Sequence, residues 1–142
     1  MRKHHELDTQ EPKMKTLFAP CVIALAALFT PSFVARAAEP QLAHNVYFSL
    51  SDTSDAAKEK LVASCKKYLT GHPNVVYFAV GTLAKDMKRP VNDQDFDVSI
   101  HIVFTNKAAH DTYNVSERHK QFSEENKPSF KKVRVFDSYL EP

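Results

Sequence analysis

Residues 96–104, Phe-Asp-Val-Ser-Ile-His-Ile-Val-Phe, are the stretch that decides the fold of this 142-residue chain. Apolar side chains alternate with Asp97, Ser99 and His101, which is the period-two pattern of a strand that buries one face. A single strand is not stable alone, so this one needs partner strands and a layer that covers its apolar face. The segments on either side of it therefore determine the fold class.

These flanking segments alternate between strand and helix patterns. In chain order the prediction is a strand at 44–50, a helix at 56–69, a strand at 74–84, the strand at 96–104, a helix from Thr105 or Asn106 to about Asn114, a helical or irregular stretch at 116–127, and a strand at 130–140. Four strands with helices after the first and third fit a ferredoxin-like β-α-β-β-α-β sandwich of the α+β class.

The helices of such a sandwich cover only one face of the sheet. The other face is expected to hold apolar and aromatic side chains, namely Tyr47, Val103 and several of Val75, Tyr77, Val133, Val135 and Tyr139. An uncovered apolar face marks a protein contact, and a homodimer that pairs two sheets face to face would bury it. We therefore expect a homodimer through the sheet face, in which two sheets close one dimeric α/β barrel.

The first 37 residues have the features of a secretory signal peptide. Lys13 and Lys15 precede an uncharged apolar run at 17–29, and Ala35-Arg36-Ala37 follows it. The run is shorter than the roughly 20 residues of a membrane-spanning helix. We expect cleavage after Ala37 or one residue later, a domain at 38–142 without a stable membrane span, and export to a periplasm or the medium. An uncleaved N-terminal anchor is the alternative interpretation.

Charge and composition narrow the function of the predicted domain. Of 19 basic and 17 acidic residues, five and three lie in residues 1–37, so the remaining chain has 14 of each. A neutral domain lacks the basic surface that nucleic-acid binding needs. Two glycines in the chain exclude a glycine-rich phosphate loop. Cys65, the one cysteine of the domain, lies on an apolar helix stripe, where we expect a packed and unreactive thiol.

Five short motifs follow one another between about residues 42 and 140. They are His44-x-Val46-x-Phe48-x-Leu50, Val80-Gly81, Asp95-Phe96-Asp97-Val98 leading into Ile102-x-Phe104, Tyr113-x5-His119, and Val135-Phe136-Asp137-Ser138-Tyr139. In order and spacing they resemble the stress-responsive dimeric α/β-barrel family, called Dabb. The resemblance implies a ferredoxin-like fold whose sheets close a barrel between two protomers.

The resemblance also implies candidate site residues. One plant branch of the family is a polyketide cyclase that performs an intramolecular aldol condensation without a cofactor. Its first-strand histidine and its Y-x5-H motif correspond to His44, Tyr113 and His119, with an imidazole as base and a phenol holding the developing oxyanion. This chain has Ser116-Glu117 where the plant motif has a histidine-proline pair. The resemblance therefore does not imply that this chain acts on the substrate of the plant cyclase.

Each candidate residue also has a structural interpretation. His44 shares a face with core positions, and Asp137 on the last strand can anchor a histidine or a backbone amide. Tyr113 is expected to be a cleft-wall aromatic residue with a satisfied hydroxyl, and His119 to close a helix or line a cleft. His101 is expected to point toward the dimer interior or solvent. No H-x3-H or H-E-x2-H pattern occurs, so we predict neither a metal site nor a cofactor.

Three functions follow. The first is an exported dimeric module that binds a small apolar or aromatic molecule in a cleft between sheet and helices, with His44, Tyr113, His119 and Asp137 as contacts, or that serves in stress tolerance without turnover. The second is a cofactor-free cyclase or other proton-transfer enzyme that uses the first three. The third is a structural dimer without ligand. A cleft of a few hundred cubic ångström where these side chains converge favours the first two, whereas a filled core with the histidines far apart excludes the enzyme.

Overall fold

Four antiparallel strands and three α-helices make up residues 39–141, the part of the chain that the computed structural model describes. The elements are β1 (Gln41–Leu50), α1 (Asp55–Leu69), β2 (Val75–Thr82), β3 (Val98–Phe104), α2 (Lys107–Asn114), α3 (Glu117–Asn126), a 3-10 turn (Lys127–Ser129) and β4 (Phe130–Leu140). The sheet order is β2-β3-β1-β4, which is the predicted ferredoxin-like α+β fold. The predicted signal peptide lies outside the described residues.

Each helix begins at a side chain that accepts a backbone N–H bond. Ser54, Asn106 and Ser116 are the N-caps of α1, α2 and α3, and each accepts from the amide three residues on. Asn106 rather than Thr105 is thus the cap of α2. After α1, Gly71 adopts φ +66°, a left-handed conformation that glycine tolerates at low cost. Within residues 39–141, no helix is long and apolar enough to span a membrane.

The core lies between α1, α2, α3 and one face of the sheet. Its fully covered side chains include Leu69, Ile102 and Phe104, each with no exposed surface. Cys65 is equally covered, and burial raises the pKa of its thiol to about 12. The thiol is therefore protonated at neutral pH, which supports the prediction of an unreactive, packed cysteine.

The structure corrects the predicted composition of the uncovered sheet face. Tyr47, Tyr77 and Val103 do lie there, and the last two are direct cross-strand partners. Val133 and Val135, however, pair with Phe48 and Val46 of the core, so they lie on the helix side. Val75 and Tyr139 lie on that side as well, opposite Phe104 and Leu42. The prediction failed on β4 because this strand carries apolar residues on both faces.

Strand β3 begins two residues later than its alternating pattern predicts. Asp97 precedes the strand: its backbone bonds to Phe48 and Leu83, and its carboxylate accepts the amide of Leu50 at 2.8 Å. Phe96 then turns to the uncovered face, where its ring lies 4.9 Å from that of Tyr47. Strand β3 therefore starts at Val98, and the apolar alternation of its helix-side face does not extend back to Phe96.

Candidate functional site

A cavity of about 410 Å³ lies between the helix side of the sheet and helices α2 and α3. Apolar side chains form much of its wall, namely Val46, Phe48, Ile100, Phe122, Phe130, Val133 and Val135. The polar side chains of the lining are His44, His110, Tyr113, Asn114, His119, Ser123, Lys127 and Asp137. A cavity of this size that combines an apolar wall with several polar groups is typical of small-molecule sites.

All four residues predicted from the sequence line this cavity, although they come from four different elements. His44 lies on β1, Tyr113 on α2, His119 on α3 and Asp137 on β4. The Tyr113 ring centroid is 4.7 Å from that of His119 and 6.2 Å from that of His44. The structure therefore brings the two histidines and the tyrosine together at one cavity. A filled core with the histidines far apart, which would have excluded an enzyme, is not what residues 39–141 form.

His44 and Asp137 form the shortest polar contact among the lining residues of the cavity. They are direct partners in the β1–β4 register, and cross-strand partners share a face of the sheet. His44 Nδ1 lies 2.6 Å from a carboxylate oxygen of Asp137. Because an ionised carboxylate only accepts, the ring proton is on Nδ1 and the lone pair is on Nε2.

Burial decides the charge of the His44 imidazole. The pKa of His44 is lowered from its ordinary value, mainly because burial disfavours the charged ring, although Asp137 acts in the opposite direction. Its side chain is only 8% exposed, whereas that of Asp137 is 46% exposed. A neutral imidazole with a fixed tautomer is suited to accept a proton or a hydrogen bond from a ligand.

Tyr113 carries a hydroxyl without a partner. The residue is 2% exposed, and among residues 39–141 its hydroxyl has no hydrogen bond. The prediction that this hydroxyl has a hydrogen-bond partner is therefore wrong. The neighbours of Tyr113 are instead the aromatic rings of Phe104, His72 and His119. Burial raises the pKa of Tyr113, so the hydroxyl remains a donor. An unmade buried hydrogen bond of this kind costs about 1–3 kcal/mol.

His119 lines the cavity at the start of α3. Its Nδ1 lies 3.1 Å from the backbone carbonyl of Asn114, which accepts, so the proton is again on Nδ1. The pKa of His119 is lowered, mainly by burial. The sequence allowed two alternatives, closing a helix or lining a cleft, and the structure shows both, because His119 caps the last carbonyl of α2 and also lines the cavity.

His110 is a site residue that the sequence analysis missed. It lies three residues before Tyr113 on α2, so both side chains project from one side of the helix. Its ring centroid lies 5.0 Å from that of His44. The i, i+3 spacing from Tyr113 was the signal that could have found it. His101, by contrast, lies on the uncovered face as predicted, where its Nδ1 is 2.7 Å from Asn45 Oδ1.

The fold and the cavity define the class of the protein: a ferredoxin-like α+β domain with a mainly apolar cavity between its sheet and its helices. Residues 42–140 match the model of the stress-responsive A/B barrel domain. The chain belongs to this family, called Dabb. No curated protein matches its sequence.

Solved structures support the same fold. A Dabb-family protein with a ferredoxin-like fold from Mesorhizobium loti is 21% identical, with a TM-score of 0.62 over 73% of this chain and 100% of its own. A dimeric ferredoxin-like protein of unknown function from Thermobifida fusca is 14% identical, with a TM-score of 0.59 over 72% and 92%. A hydroxynitrile lyase from Passiflora edulis is 19% identical, with a TM-score of 0.59 over 72% and 94%. At these identities the similarity shows the fold alone.

Proposed function

We propose that the protein binds a small, mainly apolar molecule that carries a carbonyl or another hydrogen-bond acceptor. The observation that carries this proposal is the cavity of about 410 Å³, whose lining residues include Tyr113 with its buried, unpartnered hydroxyl. An acceptor on the ligand would supply the hydrogen bond that the protein leaves unmade. Because the hydroxyl is withdrawn from solvent, the side chains around Tyr113 must shift to admit that acceptor.

The cavity wall favours an apolar body for this molecule. Phe122, Phe130 and Val135 belong to its apolar wall, and covering such surface stabilises a complex by roughly 25 cal/mol per Å² before the costs of association. The polar groups come from β1, β4, α2, α3 and the 3-10 turn, and they include the two neutral imidazoles of His44 and His119. A ligand with one polar end and an aromatic or aliphatic remainder matches this division.

The test combines native mass spectrometry of the purified full chain with thermal shifts against a panel of aromatic and aliphatic ketones, aldehydes and phenols. We expect a bound compound, and we expect Tyr113→Phe to weaken it roughly tenfold, the value of one hydrogen bond of about 1.5 kcal/mol. His119→Ala is expected to weaken binding as well. If both variants bind the compound as tightly as the parent protein does, the proposed site is wrong. If the parent protein binds no compound of the panel, the structural dimer without ligand is the function that remains.

Proton transfer at the bound molecule is a second candidate function, favoured by the contact between His44 and Asp137. In this reaction the lone pair of His44 Nε2 takes a proton from the carbon next to a carbonyl, and the electron pair moves onto the carbonyl oxygen. Tyr113 donates a hydrogen bond to that oxygen, and Asp137 stabilises the imidazolium that forms. No cofactor is needed for this step.

Asp137→Asn tests the second candidate. We expect hydrogen–deuterium exchange at the acidic carbon of a bound ketone to fall by about a hundredfold or more, since an amide cannot stabilise the imidazolium as a carboxylate does. The measurement is the exchange rate by NMR, with binding followed separately. Asp86→Asn, an exposed change outside the cavity lining, is the matched control. An exchange rate that is the same in both variants and in the parent protein contradicts the proposed base.

We also propose that two copies of the chain associate through the uncovered sheet face. Tyr77 and Phe136 on this face are 56% and 54% exposed, which leaves aromatic surface for a partner. Ion pairs of Asp93 with Arg134 and of Asp95 with Lys132 tie the β2–β3 loop to β4. The described homologue from Thermobifida fusca is a dimer, which supports this arrangement.

Light scattering on the full chain tests the dimer. At tens of micromolar we expect twice the chain mass, and we expect Phe136→Asp to give a monomer because a carboxylate would be desolvated in the interface. Val115→Asp, at a position that is 67% exposed and away from the sheet, should leave the dimer intact. A monomeric parent protein contradicts the proposal.

Export is proposed from the sequence of residues 1–37 alone. If the chain is exported, the protein recovered from the producing cells begins at Ala38 or one residue later. Intact mass spectrometry reads this start directly, and a mature protein that retains the apolar run at 17–29 contradicts cleavage.

A further inference from the structure

Two histidines and one carboxylate meet at the side of the cavity where β4 and α2 approach each other. His44, His110 and Asp137 each offer a ligand atom, and these atoms all lie within 4.8 Å of one another. The side chains of His44 and His110 are 8% and 12% exposed, whereas that of Asp137 is 46% exposed. Two nearly buried imidazoles thus lie beside a carboxylate that solvent reaches.

We propose that these three residues, called the His-His-Asp site, bind one divalent transition-metal ion of the zinc type. Imidazole nitrogen and carboxylate oxygen are ligands that Zn²⁺ and Co²⁺ accept, whereas Mg²⁺ and Ca²⁺ prefer oxygen alone. Metal bonds of about 2.0–2.2 Å place neighbouring ligand atoms roughly 3 Å apart or slightly more. Small side-chain rotations therefore suffice to close the site.

The metal would take the place of the proton between His44 and Asp137. His44 Nδ1 and the carboxylate oxygen are 2.6 Å apart, and they would separate slightly as the ion enters and the proton leaves to solvent. The ion and the shared proton are alternatives, so a metal-loaded protein would not use His44 as a base. The inference thus goes beyond the proposed binding of an organic molecule and does not depend on it.

The surroundings of His110 suit a metal ligand. Its Nδ1 lies 3.3 Å from the carboxylate of Asp111, and its Nε2 lies 3.2 Å from the side-chain nitrogen of Asn114, which donates. Both contacts put the proton on Nδ1 and the lone pair on Nε2, where it accepts from Asn114 in the metal-free chain, so the Asn114 amide must turn away as Nε2 binds the ion. A carboxylate that orients the free N–H of a ligating histidine is a common feature of metal sites.

An ion can reach the His-His-Asp site from outside the cavity. His110 and Asp137 also line a second cleft of about 310 Å³, together with Leu42, Lys107, Asp111, Ser138 and Tyr139. The site therefore lies between this cleft and the cavity of about 410 Å³. Three protein ligands leave at least one coordination position for water or for the polar group of a ligand in the cavity.

The experiment titrates Co²⁺ and then Zn²⁺ into the metal-free full chain, produced without a polyhistidine tag. His4 and His5 are replaced by alanine in every sample, because adjacent imidazoles in the leader could bind metal themselves. We expect one Co²⁺ per chain with visible ligand-field absorption, displacement by Zn²⁺, and a raised Tm. His110→Ala and Asp137→Asn are each expected to lower the Co²⁺ affinity by roughly a hundredfold or more.

His119→Ala separates this inference from the proposed function. It removes an imidazole from the cavity but not from the His-His-Asp site, so Co²⁺ binding should persist while binding of the organic molecule weakens. His101→Ala, on the opposite sheet face, controls for loss of any histidine. Absent Co²⁺ binding in the parent protein, or affinity unchanged by His110→Ala in a chain with native circular dichroism, overturns the inference.

Discussion

Val135→Trp is expected to abolish binding of small molecules while leaving the fold intact. Val135 lines the cavity from β4 and is 50% exposed, so a larger ring can extend into the cavity without displacing the buried core. An indole in place of the isopropyl group narrows a cavity of about 410 Å³ along its apolar wall. A ligand would then lose most of its apolar contacts, and we expect its affinity to fall by at least about a hundredfold, roughly 2.7 kcal/mol.

The measurement is a ligand titration followed by native mass spectrometry or calorimetry, with any compound that the parent protein binds. Val76→Trp is the matched control, because Val76 is a half-exposed valine on the other edge strand and does not line the cavity. If Val135→Trp binds the compound as tightly as the control does, the compound occupies another place and the cavity is not its site.

Phe104→Ala is expected to have the largest effect on stability. Phe104 has no exposed surface, and its ring lies 5.1 Å from that of Tyr113 and 5.4 Å from that of His110. Truncation of a fully buried phenylalanine leaves a cavity and costs about 3–5 kcal/mol of the free energy of unfolding. The candidate site would also become less well packed, because the Phe104 ring contacts two of its residues, His110 and Tyr113, from the core.

Chemical denaturation followed by circular dichroism measures this cost. Phe136→Ala removes the same ring from a side chain that is 54% exposed, and we expect a loss below about 1 kcal/mol in a protein kept monomeric by dilution. A free energy of unfolding that Phe104→Ala lowers no more than Phe136→Ala would show that the packing around β3 does not hold the core together.

Much of the fold could be predicted because local signals agreed with one another. The alternating pattern ending at Phe104, the cap at Asn106 and the stop at Gly71 are short-range features that physical chemistry fixes within a few residues. The face of β4 could not be predicted, since Val135 and Phe136 are both apolar and either could point inward. The pairing of Val135 with Val46 decides the face, and it depends on the register of two strands far apart in the chain.

The candidate site divides in the same way. Tyr113 and His119 follow from one motif, and their spacing across two short helices brings their rings within 4.7 Å. The contact of His44 with Asp137 spans 93 residues, and its length and tautomer follow only from the register of β1 and β4. His110 joins the site through the side of α2 that packs on the sheet, which an isolated helix pattern does not specify.

The sequence by itself determined the order of the elements, the family and four residues of the cavity lining. Those properties depend on local patterns and on motif order, which the chain carries along its length. Only the tertiary structure decided that Val133 and Val135 face the helices, that the hydroxyl of Tyr113 has no partner, and that His110 meets His44 and Asp137. These are contacts between distant segments, and they exist only once strand register and helix packing fix which side chains share a space.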